Sequence, residues 1–296
     1  MRLFLLLVAG VTMSACHPGN REAMRLDTVC EAGDAKACNA LGQKLQKGEY
    51  VLRDVARAAI LFERACKGGI GDSCAALGDM YQRGSGVTRD SSRAPALFRQ
   101  GCDRGGLEGC TGLGLLHRKG TGVPEDVMRA AALFQQACDG GHLPGCTYLG
   151  ESYAAGSGVA QDFSQAATLF RRACDAKLSI GCLGLGQLHS AGTGVARNDS
   201  LAAALFTQAC DDRTVAACFQ LAVVTEAGQG VPQDFGRAAQ LYRSACEDRH
   251  AEACYNLAGL YQKGAGVSRR PERAMEFTRR ACDLGYAGAC PKVKGT

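Results

Sequence analysis

From Ala130 to Gly150 the chain reads AAALFQQACDGGHLPGCTYLG. An Ala, Leu and Phe at helical spacing run into Cys138; a Gly-Gly break follows, then Cys146 ahead of a Leu-Gly pair. The same pattern recurs on both sides. Cysteines stand at Cys30, Cys66, Cys102, Cys138, Cys174, Cys210, Cys246 and Cys282, a step of 36 every time. Each is followed eight residues later by another, at Cys38, Cys74, Cys110, Cys146, Cys182, Cys218, Cys254 and Cys290. A step without insertions leaves no room for a different domain, so one structural unit is stacked along the chain.

Each unit reads as two helices. Behind the second cysteine come Leu and a small residue (Leu77-Gly78, Leu113-Gly114, Leu149-Gly150, Leu185-Gly186, Leu221-Ala222, Leu257-Ala258). A ring usually follows one turn later, at Tyr81, His117, Tyr153, His189 and Tyr261. This i, i+3, i+4, i+7 stripe predicts an amphipathic helix, helix A. It ends at a Gly-x-Gly-Val turn, as at Gly84–Val87, because Gly enters the left-handed region without a Cβ clash.

Helix B opens on Asp54, Asp90, Asp126, Asp162 and Asp234, or on Asn198-Asp199, each placed to accept from the free N–H groups of a first turn. The last copy has Arg270 and then Pro271 as a first helical residue. An alanine recurs inside (Ala58, Ala94, Ala130, Ala166, Ala202, Ala238, Ala274) and is expected to face the small residue of helix A, with Leu and Phe filling the sides. Pro95 should distort the start of its helix. Seven pairs result, at 36–66, 72–102, 108–138, 144–174, 180–210, 216–246 and 252–282, behind a half-unit from Asn20 to Cys30 with Leu26 in the Phe slot. Each pair leaves an apolar face that a neighbour must cover.

A short loop between antiparallel helices brings the end of one helix B beside the start of the next helix A. That geometry pairs Cys30 with Cys38, Cys66 with Cys74, Cys102 with Cys110, Cys138 with Cys146, Cys174 with Cys182, Cys210 with Cys218, Cys246 with Cys254 and Cys282 with Cys290. Joining the two ends of one pair, as Cys38 to Cys66, would strand Cys30 and Cys290. The spacing fits zinc poorly, whose ligands usually stand two to four residues apart, so no metal or other cofactor is expected.

The chain of 296 residues carries 17 cysteines, and the odd one is Cys16. Arg2, the apolar run Leu3 to Val11, and Met13-Ser14-Ala15-Cys16 read as an exported leader ending in a lipobox, with Met13 in place of the usual Leu. The run is too short to span a bilayer. The expected organisation is a lipoprotein signal peptide at 1–15, a lipidated tether at 16–21, the repeats at 22–290 and a tail at 291–296. His17 rather than Asp favours the outer membrane over the inner. Export to an oxidising compartment agrees with disulfides. Hydrophobic residues at 46% and charged residues at 21% describe a folded chain, and a net charge of +5 scattered along it does not point to nucleic acid.

The strings Ala-x-x-Leu-Phe-x-x-Ala-Cys-Asp, Cys-x-x-Leu-Gly and Gly-x-Gly-Val-x-x-Asp resemble Sel1-like repeats, and the 36-residue step with paired cysteines is similar to the Helicobacter cysteine-rich protein family. The resemblance covers about 22–290. It implies an all-α, tetratricopeptide-like right-handed superhelical solenoid, disulfides between cysteines eight apart, and an adaptor for protein complexes. It also implies an alternative, since some cysteine-rich members are described as binding or slowly hydrolysing penicillin. Tyr50 in place of the second turn Gly, and Phe277-Thr278 in place of Leu-Phe, depart from the pattern.

Catalytic signatures are missing: no Ser-x-x-Lys, Lys-Thr-Gly, Ser-Asp-Asn or His-Glu-x-x-His occurs. His117 and His189 share the Tyr slot and are expected to pack with one nitrogen satisfied. His142 and His250, in the inter-repeat loops, are expected in solvent. Arg171-Arg172 and Arg279-Arg280 sit near helix ends, where they complement the dipole. The reading that follows is a disulfide-stabilised envelope lipoprotein, monomeric, that binds a protein or peptide on a concave face and meets the membrane only through its lipid. A β-lactam-binding or weakly hydrolytic role on cell-wall peptides is the alternative, and a purely mechanical spacer is the third.

Overall fold

A computed structural model describes residues 18–290, and the expected leader, Cys16, His17 and the tail 291–296 lie outside them. Among the described residues there are fifteen α-helices and no strand. In chain order they are α1 (Pro18–Glu31), α2 (Ala35–Lys47), α3 (Val55–Lys67), α4 (Gly71–Arg83), α5 (Ala94–Asp103), α6 (Leu107–Lys119), α7 (Val127–Asp139), α8 (Leu143–Ala155), α9 (Phe163–Asp175), α10 (Ser179–Ala191), α11 (Asp199–Asp211), α12 (Val215–Ala227), α13 (Phe235–Glu247), α14 (Ala251–Lys263) and α15 (Pro271–Asp283). A 3-10 turn at Ala287–Ala289 closes the series.

The chain forms two compact units. One takes in the described residues through Tyr148 together with Ser157–Val159; the other comprises Leu149–Gly156 and the chain from Ala160. Within the first, α1 to α7 each pack on the next; within the second, α9 to α15 do the same. This consecutive helix-pair packing is the all-α solenoid arrangement read from the repeat. The core of the first unit runs through Phe62, Met80, Phe98, Leu113 and Phe134, and that of the second through Phe170, Phe206, Tyr242, Leu257 and Leu260.

All eight cysteine pairs are joined, with S–S distances from 1.93 to 2.08 Å and Cα–Cα distances from 4.5 to 4.8 Å. Each ring encloses a tight inter-helix turn whose middle residue has positive φ, from Gly33 through Gly105 to Lys177, Arg213, Arg249 and Gly285. The turn folds the helices back so that the two cysteines meet. Such bonds suit an oxidising compartment outside the cytoplasm. No described helix is long and apolar enough to cross a membrane.

Helix B is capped as its sequence indicates. Asp54, Asp126, Asp162, Asn198 and Asp234 each accept from a backbone N–H of the first turn. Asp90 is the exception. It accepts from the N–H and hydroxyl of Ser92, residues 91–93 form a turn, and α5 begins only at Ala94. Pro95 is the cause: a helix starting at Ser91 would need the N–H that proline lacks, so the start shifts until Pro95 falls in the first turn.

The small residue of helix A has a different neighbour from the one expected. A Cβ on Gly114 would come within 2.6 Å of the Phe134 ring, and one on Gly186 within 2.6 Å of Phe206. The Phe of helix B, more than its Ala, demands the Gly. The second Gly of the turn is also a contact between repeats. A Cβ on Gly86 would lie 2.5 Å from the Val55 carbonyl carbon and 2.9 Å from the Ala56 nitrogen, at the start of the preceding helix B. Tyr50 can replace it in the first unit because that neighbour differs: a Cβ on Gly19 of α1 would fall 2.5 Å from the Tyr50 ring.

Candidate binding groove

The histidines separate into two kinds. His117 and His189 are buried, and Nδ1 of each donates to the carbonyl seven residues on, Pro124 at 3.2 Å and Ala196 at 3.0 Å. They pack as the Tyr slot implies. His142 and His250 are half-buried rather than in solvent. His142 Nδ1 pairs with the Thr111 hydroxyl at 2.8 Å; His250 Nδ1 caps α14 by accepting from the Ala253 N–H, and its ring stacks 4.4 Å from Phe219. The loop closes on the preceding helix A, which sequence spacing alone does not reveal. Burial lowers the basicity of both rings. Arg171 and Arg172 are exposed, whereas Arg280 donates to the carbonyl of Glu247 at the end of α13. No group of three or more metal-ligating side chains occurs among the described residues.

A groove of about 750 Å³ in the second unit, lined by α12, α13, α14 and α15, has the shape of a binding site. Its apolar walls are Val223, Phe235, Tyr255 and Met275. Tyr255 and Met275 are 39% and 66% exposed, more than a monomer's core would leave them. Asn256, Gln262 and Thr278 add amide and hydroxyl groups, and Glu226 and Lys263 add one charge of each sign. Deeper in, the buried Tyr242 donates to Glu226 Oε2 at 2.8 Å. Burial, and then the Glu226 hydrogen bond and charge, push the phenol well above its ordinary range, so it stays a donor.

These lining positions vary from copy to copy, while the paired cysteines do not. The site of Asn256 holds Ala40, Ala76, Gly112, Tyr148, Gly184 and Gln220 elsewhere; that of Gln262 holds Gln46, Gln82, Arg118, Ala154, Ser190 and Glu226. In the first unit the same face places the Arg118 guanidinium 4.9 Å from the Tyr148 ring centre. This face of helix A meets the Phe of the preceding helix B where it carries Gly112 or Gly184, and bears polar or aromatic side chains in other copies. The expected lipidation at Cys16 lies outside the described residues.

Seven consecutive stretches match the Sel1 repeat: residues 35–70, 71–106, 107–142, 143–178, 179–212, 215–250 and 251–286. Among solved structures, a protective antigen present in uropathogenic Escherichia coli strains and displaying this repeat fold is 26% identical over 90% of this chain, with a TM-score of 0.63; the chain spans 65% of that protein's length. A Sel1 repeat protein from Oxalobacter formigenes is 24% identical over 90% of this chain and 77% of its own, with a TM-score of 0.65. Cysteine-rich protein B of Helicobacter pylori is 27% identical over 44% of this chain and 93% of its own, with a TM-score of 0.36. No curated protein sequence matches the chain.

Proposed function

The chain belongs to the Sel1 repeat family, and on that premise we propose that it is a protein- or peptide-binding scaffold, exported and tethered through a lipid on Cys16 to the bacterial envelope, at the outer membrane. The observation that carries the binding role is the groove of the second unit, where exposed Tyr255 and Met275 flank Asn256 on a face whose residues change between repeats. An apolar floor takes a side chain, an amide orients a peptide backbone, and aromatic and Met surfaces supply contact area. One charge of each sign suits a polypeptide better than a polymer of a single sign.

Photocrosslinking from Gln262 in the mature, disulfide-intact protein, in envelope extracts, tests it. A discrete crosslinked polypeptide that disappears in Tyr255→Ala and Asn256→Ala variants supports the role. Crosslinks that are diffuse, or unchanged in those variants, overturn it. Replacing Cys16 by Ser should move the protein from membrane to soluble fractions; retention on the membrane removes the lipid tether from the reading.

A further inference from the structure

Two copies of one repeat slot lack the ring that the others hold. Seven residues past the second cysteine stand Tyr81, His117, Tyr153, His189 and Tyr261, but the first pair has Leu45 and the sixth has Thr225. Beside Thr225 opens a pocket of about 280 Å³, bounded by Thr207, Leu221, Val231, Pro232, Asp234 and Arg237. A water molecule occupies roughly 30 Å³ of liquid, so this space is ring-sized rather than water-sized. Thr225 is 2% exposed, and its hydroxyl has no hydrogen-bond partner among the described residues. An unmet buried hydroxyl carries a cost that a bound polar group would relieve.

Other repeats show what such a space accommodates. Arg93, the counterpart of Arg237 four repeats earlier, lies 5.2 Å from the Tyr81 ring centre and donates to its hydroxyl at 3.0 Å. Arg243, the counterpart of Thr207 one repeat later, donates to the Tyr261 hydroxyl at 2.7 Å. The rings of Tyr81, Tyr153 and Tyr261 are only half-buried, so the slot reaches the surface and a ring can enter from outside. We propose that the pocket beside Thr225 is a socket for a tyrosine side chain presented by a polypeptide partner, with the phenol hydroxyl donating to Thr225 Oγ1 and the ring beneath Arg237. Tyrosine is favoured over phenylalanine because its hydroxyl can reach Thr225 Oγ1, while the Arg237 guanidinium attracts the ring. That the guest belongs to a polypeptide rests on the scaffold reading; the socket shares no lining residue with the groove.

The test titrates the mature, disulfide-intact protein with the N-acetyl amides of tyrosine, phenylalanine and leucine, following methyl resonances of Leu221 and Val231. Saturable shifts at these methyls are expected, with the tyrosine amide tightest and the leucine amide inert. Arg237→Ala should weaken tyrosine amide binding by about two- to five-fold, the scale of one exposed cation–π contact. Thr225→Tyr should fill the socket from within, raise the melting temperature and abolish binding. Thr225→His provides the same readout should the tyrosine variant fold poorly. Equal shifts from the three amides, shifts scattered away from the pocket, or binding that survives both substitutions would overturn the socket. A wild-type protein that binds none of the amides, while the groove crosslink persists, overturns the socket and leaves the scaffold role standing.

Discussion

Gly86 and Gly105 both have positive φ, at 72° and 81°, yet their surroundings predict different costs for a side chain. A Cβ on Gly105 would meet nothing within 4 Å, and the same turn position carries Lys177, Arg213 and Arg249 at φ from 61° to 68° in later repeats. Gly105→Ala should therefore cost only the strain of a Cβ in the left-handed region, about 1 kcal/mol. A Cβ on Gly86 would add a collision with the Val55 carbonyl group, which is helix backbone and cannot rotate aside. Overpacking of that kind costs about 1–3 kcal/mol beyond the backbone term, giving on the order of 2–4 kcal/mol for Gly86→Ala. At about 2–4 °C per kcal/mol, the melting temperature should fall by on the order of 5–15 °C in one variant and by about 2–4 °C in the other. Thermal melts followed by far-ultraviolet circular dichroism, with the disulfides intact, give both numbers. Equal losses, or a larger loss at Gly105, would refute the claim that the second turn glycine is an inter-repeat contact.

Three further outcomes are expected. Replacing Cys102 and Cys110 together by Ala opens one nine-residue ring, which should cost about 2–3 kcal/mol in urea unfolding; an unchanged midpoint contradicts it. Burial lowers the basicity of His142 and His250, so the unfolded chain binds their protons more readily than the folded one. Their contribution is therefore present above the ordinary histidine pKa of about 6.5 and is lost as pH falls below it; His250→Asp, which caps without needing a neutral imidazole, should flatten part of that slope between pH 8 and pH 5. Tyr242→Phe leaves Glu226 without its donor and should cost about 1–3 kcal/mol, seen as a lower urea midpoint.

Much of this protein is legible before any coordinates because its decisive interactions are local. The 36-residue step, the helix pairs, the Asp and Asn caps, the Gly84 stop and the cysteine pairing all act within one turn or one short loop. Helical periodicity, missing N–H donors and ring closure depend on residues fewer than about ten apart, so composition and spacing report them directly. Asp90 failed as a cap because a local rule, the proline five residues on, outranked another.

Other features exist only through stacking. Gly86 against Val55, the Tyr50 ring on Gly19, His142 on Thr111 and His250 on Phe219 each join residues about 30 apart in sequence. No periodicity distinguishes the copy of a slot that touches its neighbour from one that does not. The groove around Tyr255 and Asn256, and the ring-sized space beside Thr225, belong to the same class. Sequence shows that these residues depart from the repeat, but only the packing of one helix pair upon the next decides whether a departure opens a surface, a pocket or nothing.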